Sequence, residues 1–142
     1  MYVSELNFAY ITDDTMSVER LLSYIFYPFT WLMGIKDSDI PAVSQMLGIR
    51  VILTEIPAYL KLAEFAKHAD PRSVLIASYS LCGFAHIASV AIFAGGIGAL
   101  APERMPLLAK LGFKALIAAT LTTLMTGAVA GLFFCGSGIL TQ

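Results

Sequence analysis

The chain has 142 residues, enough for one domain, and is 58% hydrophobic with 13% charged side chains. Soluble domains carry about 25% charged residues, so the composition excludes an ordinary water-soluble globule and points to lipid as the solvent. A net charge of -1 with no Lys/Arg cluster excludes nucleic acid as a partner and excludes a polybasic membrane anchor.

Residues 1–16 are polar and mixed, with Asp13 and Asp14, and read as a poorly ordered lead-in. They lack the basic start and apolar stretch of a cleavable signal. Next, Leu21, Leu22, Ile25, Phe26, Phe29, Leu32 and Met33 recur at helical steps. Tyr24, Tyr27 and Trp31 lie among them, aromatics that favour a membrane–water boundary. The stretch is short for a crossing and Pro28 is expected to kink or end it, so an interfacial helix fits. Gly34 to Asp39 reads as a turn, with Ser38 or Asp39 as a cap and Pro41 in a first helical turn.

Residues 40–66 form two apolar halves around the polar Thr54-Glu55 and Pro57. Neither half reaches the roughly 20 residues a crossing helix needs. A re-entrant helical hairpin fits, since broken backbone is tolerated at membrane depth where protein or a wet cavity satisfies it. One kinked helix, with Arg50 and Glu55 snorkelling or paired, fits the periodicity too. Asp70-Pro71 is a helix start, a cap followed by proline at the first position. No Asp, Glu, Lys or Arg follows from Ser73 to Ala101. His86, Ser78, Ser80 and Ser89 sit near the middle of that run, where polar groups usually face a cavity or a partner. With Gly83 beside them, the run predicts a broken transmembrane helix over about 71–100 and a site near the bilayer midplane.

Ala101-Pro102-Glu103 opens a long C-terminal transmembrane helix over about 102–135, uncharged from Ala115 onward. Gly127 and Gly131 permit close helix contact. Cys82 and Cys135 lie in apolar runs and read as packed thiols. The basic residues at 61–72 balance those at 101–114, so charge asymmetry fixes no orientation. The expected fold class is an all-α membrane protein, with residues 17–142 as one membrane domain.

Glu55 is the first candidate for solute chemistry, because a carboxylate among apolar neighbours must be neutralised, paired or hydrogen-bonded. It could accept hydrogen bonds from a polyhydroxyl or cationic solute, or form a structural bridge with Arg50. Arg50 itself reads as structural or interfacial, on its long snorkelling stem. His86 could bond a ligand or relay a proton, or be a satisfied buried imidazole. Phe84 could stack on a planar ligand or simply pack, and Ser89 could face a ligand or back-bond to its helix. No dinucleotide fingerprint, Walker lysine, His-Glu-x-x-His or Gly-x-Ser-x-Gly occurs. No metal site, cofactor or enzymatic activity is expected.

Three stretches together resemble the concentrative nucleoside transporters. They are Gly48-Ile-Arg-Val-Ile-Leu-Thr-Glu-Ile-Pro-Ala-Tyr59, Ser80-Leu-Cys-Gly-Phe-Ala-His-Ile-Ala-Ser89 and Gly95-Gly-Ile-Gly-Ala-Leu-Ala-Pro-Glu-Arg104. Tyr24 to Gly34 is similar to the family's preceding amphipathic segment, so the likeness covers residues 17–134. It implies a secondary transporter in an inner or plasma membrane, a homotrimer, and symport of nucleoside with sodium or protons. Glu55 matches the tip glutamate that holds ribose hydroxyls, and Thr54 stands where the tip carries Asn. Phe84 and Ser89 match an aromatic and a serine lining the solute pocket. His86 stands where the family usually has Asn, and Arg50 where it has Lys. Family members are much longer, and the cation site is expected outside this chain. The resemblance therefore implies the C-terminal part of such a transporter, working with a complementing N-terminal part. A non-transporting membrane scaffold and a small proton-linked carrier acting as an oligomer are the competing functions.

Overall fold

The structure, a computed structural model, describes residues 18–135; the expected lead-in at 1–16 lies outside them. Six α-helices follow in order: α1 Val18–Leu32, α2 Ile40–Ile52, α3 Glu55–Phe65, α4 Pro71–Leu81, α5 Ile87–Leu100 and α6 Met105–Leu132. A 3-10 turn, Pro102–Arg104, leads into α6, and no strand occurs among the described residues.

The apolar run that predicted one broken helix is indeed two. Chain 71–81 is helical, 82–86 is not, and 87–100 is helical again. The break is a tight pair of turns, with Gly83 N donating to Leu81 O at 2.9 Å and Ala85 N to Gly83 O at 2.8 Å. It lies directly on α6, where a Cβ at Gly83 would overlap the Thr123 side chain. Glycine there permits close approach of backbone to helix. The later glycines do not interrupt α5; at Gly95 and Gly96 an added Cβ would meet nothing within 4 Å. α2 and α3 meet at Leu53–Thr54, so the two halves of 40–66 are two helices of 13 and 11 residues.

The core sits where α1, α2, α3 and α4 converge. Phe26 and Met33 from α1 and its end, Ile40, Val43 and Leu47 from α2, Ala58 and Leu62 from α3, and Ile76 and Leu81 from α4 are all buried. α6 adds Leu124 and lies along α4 through its small residues. A Cβ at Gly127 would come within 2.8 Å of the Ile76 carbonyl, and one at Gly131 within 2.7 Å of the Ile76 side chain. The glycine spacing is thus used within the chain. Pro102–Leu132 is the one helix among the described residues long and apolar enough to cross a membrane by itself.

Several expectations need correction. The α1 stripe is wider than the buried face: Phe26 and Met33 are buried, whereas Leu21, Ile25 and Leu32 are exposed. Pro28 lies inside α1 and does not end it. Asp39 stands at the α2 cap position without a side-chain capping bond; its carboxylate instead accepts from Ser38 Oγ and, at 3.4 Å, from Asp70 N. Asp70 does cap, accepting from Arg72 N at 2.9 Å with Pro71 next in line. The Ser78 and Ser80 hydroxyls bond back to Val74 O and Ile76 O, and that of Ser80 is buried against Gly127 of α6. Cys82 and Cys135 are exposed rather than packed, one in the helix break and one beyond α6.

Two arginines hold the helix ends together. A helix terminus leaves four carbonyls without partners, and these end carbonyls attract cations. Arg50, 1% exposed, donates from Nη1 to Ser80 O near the end of α4. It also reaches Thr123 Oγ1 of α6 at 3.1 Å from both Nη1 and Nη2. Of the structural and interfacial readings of Arg50, its burial fits the structural one: acceptors inside the protein take its Nη donors, while Nε has no partner. Arg72 does the same at the opposite end, donating from Nε to Gly131 O at 3.1 Å and from Nη1 to Gly34 O at 2.6 Å. Gly34 adopts φ +75, a left-handed turn that favours glycine.

Gly127→Val is expected to cost about 1–3 kcal/mol through overpacking against α4, read as a lower thermal midpoint in detergent. Gly95→Ala, which meets open space, is expected to hold or raise that midpoint by the helix preference of Ala over Gly, about 0.5–1 kcal/mol. Thr123→Val keeps the shape but removes Arg50's shared acceptor, and is expected to cost about 1–3 kcal/mol in the same measurement.

Candidate functional site

The candidate residues come from two interruptions that face each other. Thr54 precedes α3 in an extended conformation, φ -172 and ψ -176, and its hydroxyl makes no capping bond. Glu55 is the first residue of α3, at the positive end of that helix, where a carboxylate is favoured. Across from it, His86 is the cap of α5. Its Nε2 lies 3.4 Å from Glu55 Oε2, with the imidazole 3% and the carboxylate 23% exposed. Nε2 has no hydrogen bond of ordinary geometry, so the contact is close enough for attraction without being closed.

The back of the imidazole is fixed by the helix it caps. Ser89 N donates to His86 Nδ1 at 3.0 Å, and Ser89 Oγ accepts from His86 N at 3.3 Å. This reciprocal pair is a capping box in which His takes the part usually played by Ser or Thr. Ser89 Oγ also donates to Phe84 O at 3.1 Å. Ser89 is 3% exposed, with its hydroxyl engaged inside the break. His86 and Ser89 therefore meet through a cap, not along one continuous helix face as an unbroken helix would have placed them.

Phe84 stands open beside them. Its ring is 55% exposed, with centroids 4.7 Å from His86 in an edge arrangement and 5.9 Å from Phe93. Phe84 and Ser89 border an apolar groove of about 330 Å³ between α5 and α6, lined further by Phe93, Leu111 and Ala115. Glu55 and His86 do not line it. The structure thus gathers Glu55, His86, Ser89 and Phe84 at one place, with Thr54 adjoining Glu55 in sequence.

Arg50 was weighed as Glu55's partner, and the structure gives that place to His86. Arg50 turns instead to Ser80 and Thr123, as described above. It remains near enough for a favourable charge interaction with Glu55. Tyr59 was missed as a site neighbour; its hydroxyl donates to Ser78 O at 3.1 Å and ties α3 to the end of α4. Its place four residues after Glu55 on α3 is the one signal in the sequence. Thr123 gave no signal, because a threonine in an apolar helix is ordinary and its partner is 73 residues away. No group of three or more His, Cys, Asp or Glu able to hold a metal forms among the described residues.

The arrangement offers a carboxylate as acceptor, an imidazole nitrogen and an exposed aromatic face, at the meeting of two broken helical elements. Such a set can hold a hydroxyl-bearing, partly planar solute by hydrogen bonds and stacking.

Residues 2–131 match the family described as the Na+ dependent nucleoside transporter C-terminus. NupX of Escherichia coli strain K12 is 38% identical over 120 residues, which are 82% of this chain and 29% of NupX. Human solute carrier family 28 member 3 is 36% identical over 132 residues, 82% of this chain and 19% of that protein. The chain therefore spans less than a third of the length of these relatives. Among solved structures, CNTnw in an inward-facing substrate-bound state superposes with TM-score 0.76 at 32% identity, covering 83% of this chain and 29% of that one. A CNTnw variant in an intermediate state gives TM-score 0.80 at 29% identity, covering 92% and 34%. The two discontinuities, the residues between them and these likenesses lead to one conclusion: the chain belongs to the sodium-dependent nucleoside transporter family and corresponds to the C-terminal portion of its members.

Proposed function

We propose that this chain is part of a cation-coupled nucleoside transporter and supplies the ribose-facing half of its solute site. The observation that carries the reading is the 3.4 Å approach of Glu55 to His86 where α2–α3 and α4–α5 are each interrupted. In lipid, backbone freed at such points is kept only where protein or a wet cavity satisfies it. Discontinuous helices meeting near the bilayer midplane are the usual construction of a solute site in secondary transporters.

In this reading α2 and α3 form a re-entrant hairpin with Thr54 and Glu55 at its tip. α4 and α5 form one broken crossing, and α6 crosses unaided. α1 lies at the interface, where exposed Tyr24, Tyr27 and Trp31 suit the headgroup region. Glu55 accepts hydrogen bonds from sugar hydroxyls, His86 donates to the sugar, and Phe84 packs against the ring system. Thr54 adds a hydroxyl beside the carboxylate, and Ser89 orients His86 from behind. Sodium or a proton drives the uptake from a site outside these residues. The working assembly is a homotrimer, or a complex with a complementing N-terminal part, in an inner or plasma membrane. The scaffold alternative is less well supported, since Gly127 and Gly131 are already taken up by α4.

Uptake of labelled uridine, in cells making this chain with the N-terminal part of a relative, tests the proposal. Glu55→Gln is expected to lower uptake about 10- to 100-fold, the loss of a hydrogen bond to a charged group of about 1.5–3 kcal/mol. Phe84→Ala is expected to weaken it as well. Undiminished uptake in both variants would reject the site and favour a scaffold.

A further inference from the structure

We propose that His86 is a proton-sensitive helix cap: neutral, it holds the start of α5 and aims a donor at Glu55; protonated, it releases α5. An imidazole nitrogen accepts a hydrogen bond only while it carries no proton. Nδ1 accepts from Ser89 N at 3.0 Å, so the neutral ring must carry its proton on Nε2. Nε2 lies 3.4 Å from Glu55 Oε2, without a closed hydrogen bond between them. The cap thus selects the tautomer, and the tautomer makes His86 a pure donor toward the site while Glu55 is a pure acceptor.

Adding a second proton can occur only at Nδ1. There it would confront the Ser89 N–H directly, and two donors cannot share one hydrogen bond. Proton uptake therefore breaks the Nδ1 contact and leaves the Ser89 N–H, in the first turn of α5, with its second acceptor alone, His86 O at 3.1 Å. Meanwhile the charged ring is drawn to Glu55. The proton comes from solvent and stays on the imidazole; no other bond is made or broken.

Few other groups compete for that proton. α3 presents Glu55 and Tyr59, α2 presents Arg50, and the break itself carries Cys82. α6 has no ionisable side chain between Lys114 and Cys135. Arg50 is committed to Ser80 O and Thr123. Glu55 is the one group that could answer to pH in His86's place, and the test separates the two. An Asn at position 86 would cap as well as the best residues do, and it does not titrate.

The experiment uses the full chain in lipid nanodiscs. In the His68→Gln variant, the nitrogen NMR spectrum of His86 at about pH 8 is expected to show a protonated Nε2 and an unprotonated Nδ1. A proton on Nδ1, or rapid averaging of the two tautomers, would overturn the proposal. Amide hydrogen exchange of residues 87–90, corrected for intrinsic exchange, is then compared between about pH 8 and about pH 5. Protection in the wild-type chain is expected to fall about fivefold, the scale of a lost cap, and to stay level in His86→Asn. An equal fall in His86→Asn would assign the response to Glu55 and overturn the proposal, as would a wild-type chain whose protection does not change.

Discussion

A helix interrupted among packed apolar helices exposes two oppositely polarised ends that need partners, and the rest of this structure answers that constraint. α4 ends at Leu81 and α5 begins at Ile87, and helix ends leave carbonyls and N–H groups without partners inside the helix. The negative end receives Arg50, through Ser80 O. The positive end receives the His86–Ser89 cap, with Glu55 behind it. Arg50 and Glu55 flank the junction between α2 and α3, so one interruption supplies the charges that the other needs. Each helix pair is incomplete without its counterpart.

The same logic explains why these side chains are not ordinary core residues. A buried guanidinium or carboxylate is tolerated only with partners in good geometry. Arg50 has them on both sides, in α4 and α6, and acts as an internal clamp. Glu55 is deliberately less satisfied: it is partly exposed, and its contact with His86 is not a closed hydrogen bond. A group in that condition retains capacity to bond something else. Phe84, exposed beside the pair, gives the opening an apolar wall. Arg50 is bonded through both Nη atoms, with its buried Nε left without a partner, and serves the scaffold; in the proposed function the partly exposed Glu55 serves the site.

Much of this was legible in the sequence, for local reasons. An uncharged run containing Gly83 and His86 predicts a break, because glycine permits the turn and imidazole needs a polar setting. Thr54-Glu55 between short apolar halves predicts a junction, and Asp70-Pro71 predicts a helix start that the Asp70 cap supplies. What was not legible depends on tertiary neighbours. Helical periodicity assigns a residue to a face of its own helix and says nothing about what lies opposite. Arg50 therefore read as structural or interfacial with no partner named other than Glu55, although Ser80 and Thr123 are the ones that hold it. Leu21, Ile25 and Leu32 read as one stripe with Phe26 and Met33, because periodicity cannot distinguish a face covered by this chain from one left open. Cys82 read as packed since apolar neighbours in sequence conceal an exposed turn.

The central claim is that the two interruptions are energetically coupled through Glu55 and His86. A double-mutant cycle on the full chain tests it most directly, using Glu55→Gln, His86→Gln and the pair, with unfolding stability in detergent as the readout. Interacting residues in one network couple by about 0.5–3 kcal/mol, and the account predicts a value in that range. Strict additivity of the two single changes would contradict it.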